Sequence, residues 1–194
     1  DHRDLHYPLR RQRQMCIRDR IKTREPGGTK FAEIIREILV QGESNKIDNI
    51  SELFLFAAAW ADHVQKVIKE SLKNHKIVIC DRFIDSTLAY QGYAGNLDLD
   101  IVKEVNKISI GEIYPDITFI FDIDPTQGIE RALGENNKET RFEEKDILYH
   151  KKIRDGYTNI ARDNPHRCVV IDGTDDIEQI SKKILELTLD KINE

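Results

Sequence analysis

The residues best suited to chemistry lie in one short stretch, 81–92, which reads DRFIDSTLAYQG. Asp81 and Arg82 directly follow residues 76–80 (KIVIC), an apolar run typical of a buried parallel strand. In open α/β sheets, ligands bind at the carboxyl ends of the strands. An acid and a base at such a strand end predict a site for a charged ligand, and the alternative is a surface ion pair followed by a helix cap.

A second stretch, residues 24–29 (REPGGT), combines charge with a tight turn. One proline and two glycines predict a turn whose backbone lies close to a ligand, and Thr29 is a suitable helix N-cap. The turn alone predicts only the start of a helix, and Arg24 and Glu25 give it functional interest. The next helix carries an apolar stripe that Arg36 does not share, made of Phe31, Ile34, Ile35, Ile38 and Leu39.

Alternating strand and helix patterns position these stretches. Strands are predicted at 76–80, 117–123 and 168–171, with a remnant at 21–23. Helices are predicted after Thr29, from Asp48 or Ser51 to about 74, at 98–108 and 125–133, and at about 143–163 and 176–192. Strands that alternate with helices predict right-handed βαβ units and a parallel sheet, hence one α/β domain. The polar run 134–141 (GENNKETR) predicts a mobile surface loop.

Composition excludes several classes of protein. The 194 residues suffice for one domain with a real core, and the net charge of −5 argues against a nucleic-acid binder. No segment approaches the roughly 20 apolar residues of a membrane span, and no signal peptide is visible. Cys16, Cys80 and Cys168 lack metal-ligand spacing, so we expect buried reduced thiols and a cytoplasmic location.

Residues 1–20 differ from the rest of the chain. They hold six arginines, three aspartates and no lysine, and their apolar residues follow no helical or strand period. A basic nucleic-acid arm is one interpretation. The QRQMCIRDR end also resembles adapter-derived tails of translated sequencing assemblies, and we favour a non-native or disordered tail, with the domain at 21–194.

Four stretches together resemble thymidylate kinase: TREPGGT, FLFAAAWADH, DRFIDSTLAYQG and PDITFIFDID. They occur in the family's order and spacing between about Ile21 and Ile192. The resemblance implies a P-loop nucleoside monophosphate kinase fold, a parallel sheet flanked by helices. It also implies a homodimeric enzyme that uses Mg²⁺ as cofactor and transfers the γ-phosphoryl group of ATP to dTMP. Neither nucleic acid nor a membrane is expected as a partner.

The resemblance also implies roles for charged residues. Arg82 would bind the acceptor phosphate of dTMP through charge-assisted hydrogen bonds, and Arg36 would lie near that phosphate and the sugar. Glu25 and Asp81 would hold Mg²⁺ or its waters, since carboxylates are hard oxygen ligands. Arg141 would neutralise charge from a lid at about 134–143. Arg131 would join Arg141 at the lid and the adenine site.

Uncharged residues receive roles from the same resemblance. Phe56, which helical spacing alone would assign to the core, matches the aromatic residue on which thymine stacks. Thr87 and Gln91 match positions that contact the polar edge of the base. Tyr90 matches the residue that packs against the sugar and disfavours a 2′-hydroxyl. His63 keeps a purely structural interpretation.

Two features depart from the family pattern. The phosphate-binding loop GxxxxGK[ST] has no match in residues 1–20, which contain neither glycine nor lysine. We therefore expect the fold to lack its first, central strand and first helix, and the 194-residue polypeptide to be inactive as a kinase. Trp60 stands where the family usually has an arginine that contacts a thymine carbonyl.

Two alternatives remain open from the sequence. One is another nucleoside or deoxynucleoside monophosphate kinase. The other is a degenerate nucleotide-binding or regulatory relative that is not an enzyme. Thr87, Tyr90 and Gln91 favour thymine and a deoxyribose over the first alternative, and a comparison of dTMP, dUMP, dCMP and thymidine as ligands would decide it. The acceptor-site residues do not exclude the second alternative, which the genomic DNA upstream of the Ile21 codon would test.

Overall fold

Parallel strand pairs and flanking helices make up the fold. The computed structural model describes residues 19–43, 45–134 and 141–193. The strands within them are β1 (Arg20–Arg24), β2 (Ile77–Asp81), β3 (Thr118–Asp122) and β4 (Cys168–Asp172). All four strand predictions are confirmed, and the remnant at 21–23 is a five-residue strand.

The strands pair in parallel, as predicted. β1 pairs with β2, with Thr23 opposite Cys80, and β3 pairs with β4, with Asp122 opposite Asp172. Among the described residues the strands form two separate two-stranded sheets rather than one.

Seven helical elements connect and cover the described strands. They are α1 (Lys30–Val40), α2 (Asn49–His63, continued by a π-helical segment Val64–Ile68 and by Lys69–Lys73), α3 (Ile84–Thr87, continued by a π-helical segment Leu88–Ala94), α4 (Leu99–Ile110), α5 (Pro125–Gly134), α6 (Ile147–Asp163) and α7 (Ile177–Asn193). No helix of the described part of the chain is long and apolar enough to cross a membrane.

Side-chain caps fix where the helices begin. Thr29 caps α1 by accepting from the amide of Ala32, and Asp48 caps α2 in the same way. Both starts are as predicted. The predicted start of α6 at about 143 is four residues early, because Asp146 accepts from the Tyr149 amide and begins the helix at Ile147.

Two apolar clusters form the core. The first lies between α1, α2 and α4 and includes Leu39, Trp60 and Ile110. The second packs α6 against α3 and β3. A buried bidentate ion pair, Arg167 to Asp85 at 2.8 Å for both bonds, ties α3 to the residue before β4 and so links the two sheets.

The apolar stripe predicted on α1 divides between core and surface. Ile35 and Leu39 are buried, whereas Phe31, Ile34 and Ile38 are 49%, 59% and 41% exposed. Phe54 of the neighbouring helix α2 is also 58% exposed. The outer sides of α1 and α2 therefore present apolar side chains that the described chain does not cover.

Candidate active site

A cavity of about 190 Å³ opens beside the carboxyl ends of β1 and β2. It is lined by every residue predicted to contact the substrate or its metal: Glu25, Arg36, Phe56, Trp60, Asp81, Arg82, Thr87, Tyr90 and Gln91. These residues come from six elements and connections. The fold therefore brings together side chains that lie up to 66 positions apart in the sequence (25 to 91).

Arg82 supplies a positive charge to the cavity. Its backbone adopts a left-handed conformation with φ of 64°, which turns the chain sharply between β2 and α3. The guanidinium carbon lies 4.9 Å from the ring centroid of Tyr90. Electrostatic interaction with Tyr90 raises the pKa of Arg82 despite the opposing effect of burial. Arg82 therefore stays charged at any physiological pH.

Three aromatic rings form one wall of the cavity. The Phe142 ring lies 6.4 Å from Phe56 and 5.6 Å from Tyr90, edge-on to the latter. Sequence analysis missed Phe142 because it follows the polar run 134–141, where nothing in the local pattern indicates a ligand contact. The rings provide flat apolar surfaces of the kind on which a nucleobase stacks.

Several polar atoms at the cavity have no hydrogen-bond partner within the described residues. They are Glu25 Oε2, Trp60 Nε1, Thr87 Oγ1 and Glu143 Oε2. A buried polar group without a partner costs about 1–3 kcal/mol. Donors and acceptors that converge on one cavity are therefore suited to a polar ligand that satisfies them.

A buried network supports Gln91 from behind. The Gln91 amide donates to Glu52 at 2.8 Å, and Glu52 forms an ion pair with Arg141 at 2.6 Å. Arg141 also donates to the Leu39 carbonyl at 2.9 Å and is 1% exposed. Arg141 therefore lies in the interior behind the cavity and does not line it.

Arg131, the second arginine assigned to the lid and adenine site, lies apart from the cavity. It is exposed on α5 and donates to the Gly173 carbonyl at 3.0 Å, in the turn after β4. The structure brings neither Arg131 nor Arg141 into the lining of the cavity. Most of the predicted lid, residues 135–140, lies outside the described residues, so its role stays a prediction.

Glu25 is held from behind by a histidine to which sequence analysis gave no chemical role. His63 Nδ1 contacts Glu25 Oε1, and His63 Nε2 lies 2.6 Å from Thr23 Oγ1. Burial raises the pKa of Glu25, against the lowering effect of His63. Burial, followed by the charges of Glu25 and Asp81, raises the pKa of the nearby Cys80 thiol.

Known proteins resemble this chain over most of its length. A family model described as thymidylate kinase matches residues 9–184. The chain is 41% identical over 176 residues to the thymidylate kinase of Syntrophotalea carbinolica, covering 88% of this chain and 82% of the relative. The chain belongs to the thymidylate kinase family. By family it is a dTMP kinase, a transferase that uses ATP as phosphate donor.

Further relatives agree with this membership. A thymidylate kinase of Wolbachia pipientis wMel is 47% identical over 153 residues, covering 79% of this chain and 74% of the relative. The crystal structure of thymidylate kinase from Ehrlichia chaffeensis superposes with a TM-score of 0.71 at 36% identity, covering 93% of this chain and 88% of that chain. The predicted thymidylate kinase fold is confirmed. The match of the family model begins at residue 9, and the division at residue 20 stays a prediction, since residues 1–18 lie outside the described ones.

Proposed function

We propose that the cavity binds dTMP as the phosphoryl acceptor, with its phosphate on Arg82. The observation that carries this proposal is the convergence of a charged guanidinium, an aromatic wall and unpartnered polar atoms on one cavity. A nucleoside monophosphate has the matching parts, namely a phosphate dianion, a flat ring and polar ring edges. Arg36, which also lines the cavity, would assist at the phosphate and sugar.

The uncharged residues would orient the base and the sugar. We assign Phe56 to stacking on thymine, and Thr87 and Gln91 to its polar edge. Trp60 is 2% exposed and its indole N–H is unpartnered, so it would donate one hydrogen bond to a base carbonyl in place of the family's usual arginine. Tyr90 would pack against the deoxyribose and leave no room for a 2′-hydroxyl.

Glu25 and Asp81 would hold Mg²⁺ in the cavity. Both carboxylates line the cavity, and Glu25 keeps one unpartnered oxygen, so the donors present fit a hard cation. The ion would neutralise phosphate charge during transfer. Arg141 and Arg131 are proposed for the donor side, with Arg141 acting from the base of the lid.

We assign the kinase reaction to nucleotide biosynthesis. The product dTDP would serve dTTP synthesis in the cytoplasm, with ATP bound as the donor. Nucleic acid and membranes would not be partners.

We also propose that two copies of the chain associate through the exposed apolar sides of α1 and α2. Phe54→Glu should shift the protein to the monomer in sedimentation experiments, because it places a charge in that apolar face. Leu185→Glu, at a 54% exposed position on α7, is the matched control and should leave the dimer intact. A wild-type chain that is monomeric at 100 μM would contradict the dimer.

A panel of nucleotides tests the function. We expect dTMP to bind more tightly than dCMP, because the cytosine amino group offers a donor where the Trp60 N–H, which can only donate, requires an acceptor. Each mismatched buried hydrogen bond costs about 1–3 kcal/mol, so dCMP should bind roughly 5- to 150-fold more weakly by calorimetry. Equal affinity for both nucleotides, or tighter binding of dCMP, would favour another monophosphate kinase.

A further inference from the structure

A cluster of three potential metal ligands lies beside the cavity, and two of its members, His63 and Cys80, have no role in the proposed phosphoryl transfer. A carboxylate oxygen of Glu25, a ring nitrogen of His63 and the sulfur of Cys80 lie within 4.8 Å of one another. Glu25 and His63 are buried, and Cys80 is partly buried. Oxygen, nitrogen and sulfur donors together are typical of Zn²⁺ and similar borderline cations, not of Mg²⁺.

The fold builds this cluster from three elements. Thr23 and Cys80 are paired residues of β1 and β2, and Glu25 follows β1, with its amide bonded to the Asp81 carbonyl at 2.9 Å. His63, at the junction between the α-helical and π-helical parts of α2, is 0% exposed and packs over them. The pairing of two strands and the packing of α2 therefore set the positions of the ligands.

One tautomer of His63 matches the arrangement found in known metal sites. When Nε2–H donates to Thr23 Oγ1 at 2.6 Å, the lone pair of Nδ1 faces Glu25 and is available to a cation. Metal-binding histidines usually donate their second ring N–H to an oxygen in this way. The second carboxylate oxygen of Glu25, Oε2, has no hydrogen-bond partner although the residue is only 2% exposed, so it can also bind a cation.

We propose that Glu25, His63 and Cys80 bind one borderline divalent cation such as Zn²⁺. Bonds of about 2.0–2.3 Å place tetrahedral ligand atoms roughly 3.3–3.7 Å apart, so side-chain rotations that part the Glu25–His63 contact and bring the Cys80 sulfur into this range complete the site. The Cys80 S–H bond breaks, its proton passes to solvent, and a sulfur–metal bond forms. Solvent supplies the fourth ligand, and a cation held here competes with Mg²⁺ for Glu25.

Cobalt spectroscopy of the full 194-residue chain tests the proposal. Co²⁺ bound by a thiolate gives an intense near-ultraviolet charge-transfer band, which Zn²⁺ should remove by competition. The wild type and a Cys16→Ser/Cys168→Ser double variant, in which Cys80 is the only cysteine, should show the band at one Co²⁺ per chain. Cys80→Ser should lack it, and Thr23→Val should weaken Co²⁺ binding about 10- to 100-fold.

The double variant keeps the test decisive if Cys80→Ser fails to fold. A band in the double variant that Zn²⁺ removes supports the site. The absence of a band in the wild type at millimolar Co²⁺, a band that persists unchanged in folded Cys80→Ser, or its loss in a folded double variant would each overturn the proposal. The readout needs neither dTMP nor ATP.

Discussion

Arg82→Gln should weaken dTMP binding about 10- to 150-fold and leave thymidine binding unchanged. Arg82 directly follows β2 and lines the cavity, and hydrogen bonds to charged groups contribute about 1.5–3 kcal/mol, which converts to this range of dissociation constants. Thymidine lacks the phosphate and so does not use the guanidinium. Calorimetric titration of both ligands against both proteins measures the difference.

A surface arginine provides the control for charge. The Arg162 side chain is 72% exposed on α6 and forms an ion pair with the adjacent Asp163. Arg162→Gln changes the net charge equally and should bind dTMP like the wild type. If Arg82→Gln loses affinity for thymidine to the same extent as for dTMP, the arginine does not bind the phosphate and the proposed orientation is wrong.

Arg141→Met should destabilise the fold by about 3–5 kcal/mol, because it leaves Glu52 as a buried, unpaired charge. Glu52 is 4% exposed, and its remaining partner is the Gln91 amide. A loss of this size is a large share of the 5–15 kcal/mol typical of a domain. Urea unfolding followed by circular dichroism should show the midpoint fall accordingly.

Two companion variants separate the buried network from charge loss in general. Arg154 forms a bidentate pair with Asp122, but both side chains are more than a third exposed, so Arg154→Met should cost no more than about 1 kcal/mol. Adding Glu52→Gln to Arg141→Met should restore part of the lost stability. Equal stability of Arg141→Met and Arg154→Met would contradict a structural role for Arg141 and leave only the proposed catalytic one.

The strands, most helix starts and the acceptor cavity could be predicted because their signals are local or carried by motifs. Thr29 and Asp48 sit directly before periodic apolar residues, and β2 is an uninterrupted apolar run. The motifs around Glu25 and Arg82 place both residues at strand ends, where parallel pairing necessarily brings them to the same edge.

The remainder depends on contacts distant in sequence. Arg141 lies at the end of a polar run, so its pattern suggested a surface lid, whereas the ion pair with Glu52, 89 positions earlier, holds it in the interior. His63 resembled an ordinary core histidine because nothing near it in sequence is acidic except Asp62. Only the packing of α2 against β1 brings His63 to Glu25.

The location of dTMP in crystals of the chain tests the central claim most directly. We predict that a phosphate oxygen lies within hydrogen-bond distance of the Arg82 guanidinium, that the thymine ring stacks on Phe56, and that the Trp60 N–H meets a base carbonyl. Nucleotide bound elsewhere, for example in the open groove beside the outer edge of β1 between Lys22 and Lys66, or bound with its phosphate turned away from Arg82, would contradict the account.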